Sequence, residues 1–191
     1  MGKNKIIKYP LSTEFPLSKK LMAEGIQDLD SLILFIQHLP YGRTSNRANL
    51  NLVFEESKGT CSSKHGFIKK IAEENSWDDI ELIIGIYKMD HLNTPKIGDT
   101  LVNNGFDYIP EAHCYLKIKE ERIDITSPFA SFDKLANDIL EEHPIDSTQV
   151  NTYKVELHHA FLKNWINRNN ITSSFNQVWK IREKCIKKLS E

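Results

Sequence analysis

Along residues 17–39, apolar positions recur at helical spacing (Leu21, Met22, Ile26, Leu29, Leu32, Ile33, Ile36 and Leu39). Gly25 and a potential N-cap at Asp28 divide this stretch into two short helices, and Pro40 ends the second. Before it, residues 1–16 form an extended lead-in punctuated by Pro10 and Pro16. Residues 41–58 are polar and rich in Asn and Arg, with one apolar island at 50–54, the pattern of a long ordered loop. A helix then begins at Cys61 and runs to about residue 74, burying Phe67, Ile68, Ile71 and Ala72.

The centre of the chain changes period. Residues 80–89 (IELIIGIYKM) are almost continuously apolar, as expected of a central strand covered on both faces. A connecting segment at 90–110 carries Pro95, Gly98, Gly105 and Pro110, and alternation over 112–118 and 122–125 predicts a hairpin. The remainder reads as helix at 131–142, 150–168 and 173–189, with Phe175, Val178, Trp179, Arg182, Cys185, Ile186 and Leu189 on one stripe. The pattern is that of an α+β fold in a single domain over 1–191. Its core spans about 41–130, with helical flanks at 17–40 and 131–191. Leu82, Ile84, Ile86, Leu116 and Ile118 are expected among the buried sheet residues.

Composition narrows the function classes. The chain has 191 residues, 40 % apolar and 27 % charged, enough to bury a core without disulfides or metal. A net charge of −1 provides no global field for nucleic acid or an anionic membrane, so neither is expected as a partner. The basic run Lys180, Arg182, Lys184, Lys187, Lys188 is interleaved with apolar residues and reads as a solvated helix face. No stretch has the length and apolarity of a membrane span or signal core, and Ile6 stands where myristoylation requires Ser or Thr. Cys61, Cys114 and Cys185 are too few for a disulfide framework and suit free thiols in a reducing compartment, so a cytoplasmic location is expected.

One cysteine has a distinctive context. Cys61 follows Gly59-Thr60 at the predicted start of a helix, where unpaired N–H groups and the helix dipole favour a thiolate. On the first hairpin strand, alternation sets His113, Tyr115 and Lys117 on one face and Cys114, Leu116 and Ile118 on the other, which makes Cys114 a core residue. With a Lys119-Glu120 tip, Asp124 falls opposite Tyr115 and within reach of His113; with a Glu120-Glu121 tip it falls opposite Lys117, beyond reach. A zinc site from Cys61, His65, His113 and Cys114 is a weaker alternative, because neighbouring strand residues point to opposite faces. His65 reads as a surface or half-buried helix residue, and His158-His159 as a partly exposed pair.

Gly59-Thr60-Cys61, an apolar strand, His113-Cys114-Tyr115 and Asp124-Ile125-Thr126 occur in an order that resembles the transglutaminase-like branch of the papain-type fold, over roughly residues 55–128. The resemblance implies a nucleophile helix packed on an antiparallel sheet and a catalytic triad of Cys61, His113 and Asp124. Cys61 would attack an amide or peptide acyl carbon, His113 would move the proton, and Asp124 would orient the imidazole. A peptide or protein substrate and no cofactor are implied, with either hydrolysis or acyl transfer as the outcome. Asn46, Asn49 and Asn51 are candidates for an oxyanion donor beside the Cys61 N–H. The Arg-Gly-Gly signature of arylamine acetyltransferases is absent, so coenzyme-A-dependent acetyl transfer is not expected. The alternative is a binding module that keeps the fold without turnover.

Overall fold

The computed structural model describes residues 9–190. The first eight residues of the expected lead-in, including the Met1-to-Ile6 context, lie outside the described residues. Helices α1 (Pro16–Ala23) and α2 (Leu29–His38) are separate, as the Gly25 break predicts. Pro16 starts α1, where its missing N–H costs nothing. Asp28 caps α2 by accepting from the Ser31 N–H at 3.0 Å, and the Ser31 hydroxyl accepts in return from the Asp28 N–H at 3.1 Å. The apolar island in the polar loop forms a single turn, α3 (Leu52–Glu55), and α4 (Cys61–Glu74) begins at Cys61.

The sheet is antiparallel, with strands β1 (Ile80–Met89), β2 (Ile109–Ile118), β3 (Glu121–Ile123) and β4 (Ile139–Ile145) in the order β3-β2-β1-β4. Ile80, Leu82, Ile84 and Ile86 of β1, with Ala112, Cys114 and Leu116 of β2, pack against Phe67, Ile68, Ile71 and Ala72 of α4 and against α1 and α2. Tyr87, Met89 and Ile109 enter a second core with α5 (Thr152–Arg168) and α6 (Phe175–Lys188). Both faces of β1 are therefore covered, which accounts for its nearly unbroken apolar run. Ile118, at the end of its strand, is only partly buried.

The expected helix at 131–142 is not formed. Two short 3₁₀ turns (Phe132–Lys134 and Ala136–Asp138) lead instead into β4, which pairs with β1 from Leu82↔Ile145 to Tyr87↔Ile139. Helical continuation is blocked at Pro144, whereas an edge strand tolerates a residue without an N–H. The free edge of β1 supplies the partner, a long-range pairing that local periodicity does not report. Thus the flank over 131–191 contributes a strand as well as helices.

Candidate active site

Local rules position the nucleophile candidate. Thr60 caps α4, its N–H donating to the Ser63 hydroxyl at 2.9 Å, so Cys61 is the first helical residue. Gly59 pairs with the segment before it: its N–H donates to Pro40 O at 3.1 Å and its carbonyl accepts from Gly42 at 3.2 Å. A Cβ at Gly59 would lie 2.8 Å from Lys64 Cγ, so only glycine permits this close turn. The first turn of α4 thus follows directly on a residue tied to the 40–42 segment.

The hairpin register brings Asp124 to His113. Ile118 pairs with Glu121, Lys117 with Arg122 and Leu116 with Ile123, so Lys119-Glu120 is the tip and Lys119 takes a φ of 57°. The next position places Asp124 beside Tyr115 and on the face of His113. Asp124 Oδ2 lies 2.8 Å from His113 Nε2, and its Oδ1 accepts from the Thr126 N–H at 2.9 Å and hydroxyl at 2.6 Å. The Asp124 carboxyl is thus fixed on both oxygens. His113 and the Cys61 thiol line the same cavity and act on each other's charge. With Nε2 engaged by Asp124, Nδ1 is the ring nitrogen left for the sulfur.

Charge in the site is balanced by burial and partners together. Burial alone would push the Cys61 thiol up, but the Lys154 ammonium and the His113 imidazolium outweigh it and bring the thiol down to about 5. Burial opposes the charged form of His113, and Asp124 and Cys61 reverse this, raising the imidazole well above its ordinary range. Asp124, despite its burial, is held below the usual carboxylate range by His113 first and then His65. A thiolate–imidazolium pair flanked by a carboxylate is the resulting charge state.

Lys154, on α5, was not legible in the sequence as a site residue. It is buried, its ammonium donates to the Ser62 hydroxyl at 2.6 Å and lies 3.8 Å from Cys61 Sγ. Burial disfavours its charge, but Cys114, Cys61 and Glu111 nearby raise its pKa overall. Glu111 and Arg182 were also missed. The Arg182 Nε donates to Glu111 Oε2 at 2.7 Å and its second nitrogen completes a bidentate pair, bolting α6 to β2. Arg182 is consequently 12 % exposed at the side chain rather than part of a solvated basic face. Glu111 had a usable signal: it shares the strand parity of His113.

These groups, with Tyr41, line a cavity of about 350 Å³. Behind the cavity lining, Gly85 pairs with His113 and leaves room for the Tyr115 ring, since a Cβ there would approach Tyr115 Cε1 to 2.6 Å. The Tyr115 ring crosses β1 at that point and donates to Glu142 Oε1 of β4 at 2.5 Å. None of the three loop asparagines lines the cavity. Asn46 accepts from Ala48, Asn49 from Asn51, and Asn51 from Lys70, so local turns and a surface lysine consume them.

His65 is fully buried, not a surface residue. Its Nδ1 lies 2.7 Å from Cys61 O and its Nε2 accepts from the Ile125 N–H at 2.9 Å, which requires the neutral Nδ1–H tautomer. Burial lowers its pKa to about 4, consistent with a neutral ring. Lys64 makes a parallel tie, donating to Leu39 O at 2.5 Å and Thr126 O at 2.8 Å. Two consecutive α4 residues therefore clamp the first turn of the helix to the segment carrying Asp124. His158 is likewise buried, 2.8 Å from Pro110 O, while His159 packs edge-on against Trp179. The zinc set does not assemble: both His65 nitrogens are occupied, Cys114 points into the core, and no group of three or more metal-ligating side chains occurs among the described residues.

No helix among the described residues is long and apolar enough to cross a membrane. Comparisons with protein families, with curated proteins and with solved structures find no match, so the chemistry must be argued from the arrangement of residues itself.

Proposed function

We propose that the chain is a transglutaminase-like thiol enzyme acting on an amide or peptide acyl group, with Cys61 as nucleophile, His113 as proton carrier and Asp124 as the orienting carboxylate. The observation that carries this reading is the 2.8 Å His113–Asp124 bond in a cavity shared with a helix-start thiol whose pKa His113 helps to lower. The α4 helix packed on an antiparallel sheet supports the likeness to that fold.

In this reading the Cys61 thiolate attacks the acyl carbon, and the oxyanion meets the Cys61 backbone N–H at the first turn of α4. The Tyr41 hydroxyl, kept protonated by burial and then by the negative charges of Cys61 and Glu111, is the second donor. His113 gives its proton to the departing amine as the C–N bond breaks and a thioester forms. Water or an acceptor amine then attacks the thioester, His113 takes the incoming proton, and the thiolate is released.

The test is acyl-enzyme trapping. Incubation with an activated p-nitrophenyl ester, followed by intact-mass and peptide analysis, should place one acyl group on Cys61 and none on Cys114 or Cys185. Acylation of wild type equal to that of Cys61→Ala would sink the reading and leave a binding module.

A further inference from the structure

The cavity contains more cations than its own acids can neutralise. At the floor, His113 faces Asp124, Arg182 faces Glu111, and Lys154 faces the Cys61 thiolate. Arg43, at the wall, is paired with Glu183 at 3.0 Å. Three lining cations remain: Arg47, Lys96 and Lys134. Among the described residues Arg47 and Lys96 have no hydrogen-bond or ion-pair partner, and Lys134 donates only to the Phe129 carbonyl, at 2.9 Å. Each comes from a different connecting segment: the loop before α3, the 3₁₀ turn after β1 (Pro95–Thr100), and the 3₁₀ turn before β4 (Phe132–Lys134). Three segments far apart in sequence thus turn unneutralised positive charge toward one thiol-bearing cavity.

Folding alone gives no reason for this. Like charges facing a shared cavity repel: after burial itself, Arg43 and Arg182 act to lower the Arg47 pKa, and the smaller opposing effects of Glu183 and Cys61 do not restore it. A negatively charged ligand would relieve that repulsion, and a cavity mouth of one sign concentrates such ligands. Resting on the thiol-enzyme reading above, we infer that the acyl substrate is anionic, carrying a carboxylate near the reacting acyl group that is met by Arg47, Lys96 and Lys134. An acidic peptide segment is the class of substrate this describes.

The test compares two alkylating reagents that differ in charge: iodoacetate, an anion, and iodoacetamide, its neutral isostere. Their second-order rates at Cys61 are measured on the full chain at pH 7, and the ratio divides out any change in thiol reactivity. The wild-type ratio should exceed that of N-acetylcysteine. It should fall about fivefold in the Arg47→Gln/Lys96→Gln/Lys134→Gln variant, and to a similar degree in wild type at about 1 M salt, where screening is nearly complete. All three side chains belong to exposed residues, so the fold should survive, and circular dichroism checks this. A wild-type ratio at or below that of N-acetylcysteine, or one unaffected by the triple variant, overturns the anionic-substrate inference while the thiol chemistry stands. Failure of both reagents to alkylate Cys61 overturns the thiol-enzyme reading and this inference together.

Discussion

The Lys154 ammonium sits 3.8 Å from the Cys61 sulfur while donating to the neighbouring Ser62 hydroxyl at 2.6 Å. A buried lysine at this distance supplies positive charge that the helix dipole alone cannot match, because the dipole is equivalent to only about half a charge. Lys154→Met should move the alkylation midpoint of Cys61 upward from about 5 toward the ordinary thiol range. Iodoacetamide labelling at pH 6 should slow by about tenfold or more, and the two proteins should converge above about pH 9. Unchanged labelling at pH 6 would assign the depressed thiol to His113 alone.

Asp124 acts on the sulfur through His113. Asp124→Asn preserves shape and the acceptor for Thr126 but removes the charge that keeps the His113 imidazole protonated. The His113 titration, followed by NMR, should therefore move down toward its ordinary range. Acylation of Cys61 should slow by roughly 10²- to 10⁴-fold, the scale found when a triad carboxylate is neutralised. A large rate loss without movement of the titration would mean that Asp124 serves only to hold the ring.

His65 couples stability to pH. Its folded pKa of about 4 is below the unfolded value of about 6.5, so the unfolded chain binds the proton first as pH falls. The stabilising contribution is complete above about pH 6.5 and is lost as pH drops toward 4, on the order of 3 kcal/mol in all. Denaturant unfolding of wild type and His65→Leu at pH 7 and at pH 4.5 should show this directly. The variant should be about 2–4 kcal/mol less stable at pH 7, because Cys61 O and the Ile125 N–H lose their partner, and the gap should narrow at the lower pH. A gap independent of pH would show that His65 titrates normally.

The two central cysteines should separate cleanly. Cys61→Ala should abolish electrophile labelling while leaving the fold intact by circular dichroism. Cys114→Ser should retain Cys61 labelling but lose about 1–3 kcal/mol, since a hydroxyl replaces a thiol in the fully buried core between β2 and α4. Equal labelling of both cysteines in wild type would contradict the burial of Cys114.

Glu111 and Arg182 join strand to helix through a buried pair. Burial would raise the Glu111 carboxyl, but Arg182 and His158 bring it down to about 2. Arg182→Met should therefore cost about 3–5 kcal/mol in denaturant unfolding by leaving that carboxylate uncompensated, and the loss should diminish in Glu111→Gln/Arg182→Met. A double variant as unstable as the single one would point to lost packing rather than lost charge.

Local signals in the sequence determined much of this protein. The period of Leu82, Ile84 and Ile86, the Asp28 cap, the Gly59 turn before Cys61 and the alternation around His113 each depend on neighbours within a few residues, so they could be read directly. They located the helix carrying Cys61 and the strand carrying His113, but not the hairpin tip: moving that tip by one residue would have set Asp124 opposite Lys117, beyond reach of His113. Tertiary structure chose the Lys119-Glu120 register, recruited 139–145 as an edge strand because β1 offered an unpaired side, and brought Lys154, Glu111 and Arg182 around the thiol. Lys154 is 93 positions from Cys61 in the chain, and a lone lysine on an amphipathic helix has the same sequence pattern whether it ends in water or against a sulfur. Burial and electrostatic pairing are properties of the assembled core, and only there does a lysine become the counter-charge of a thiolate.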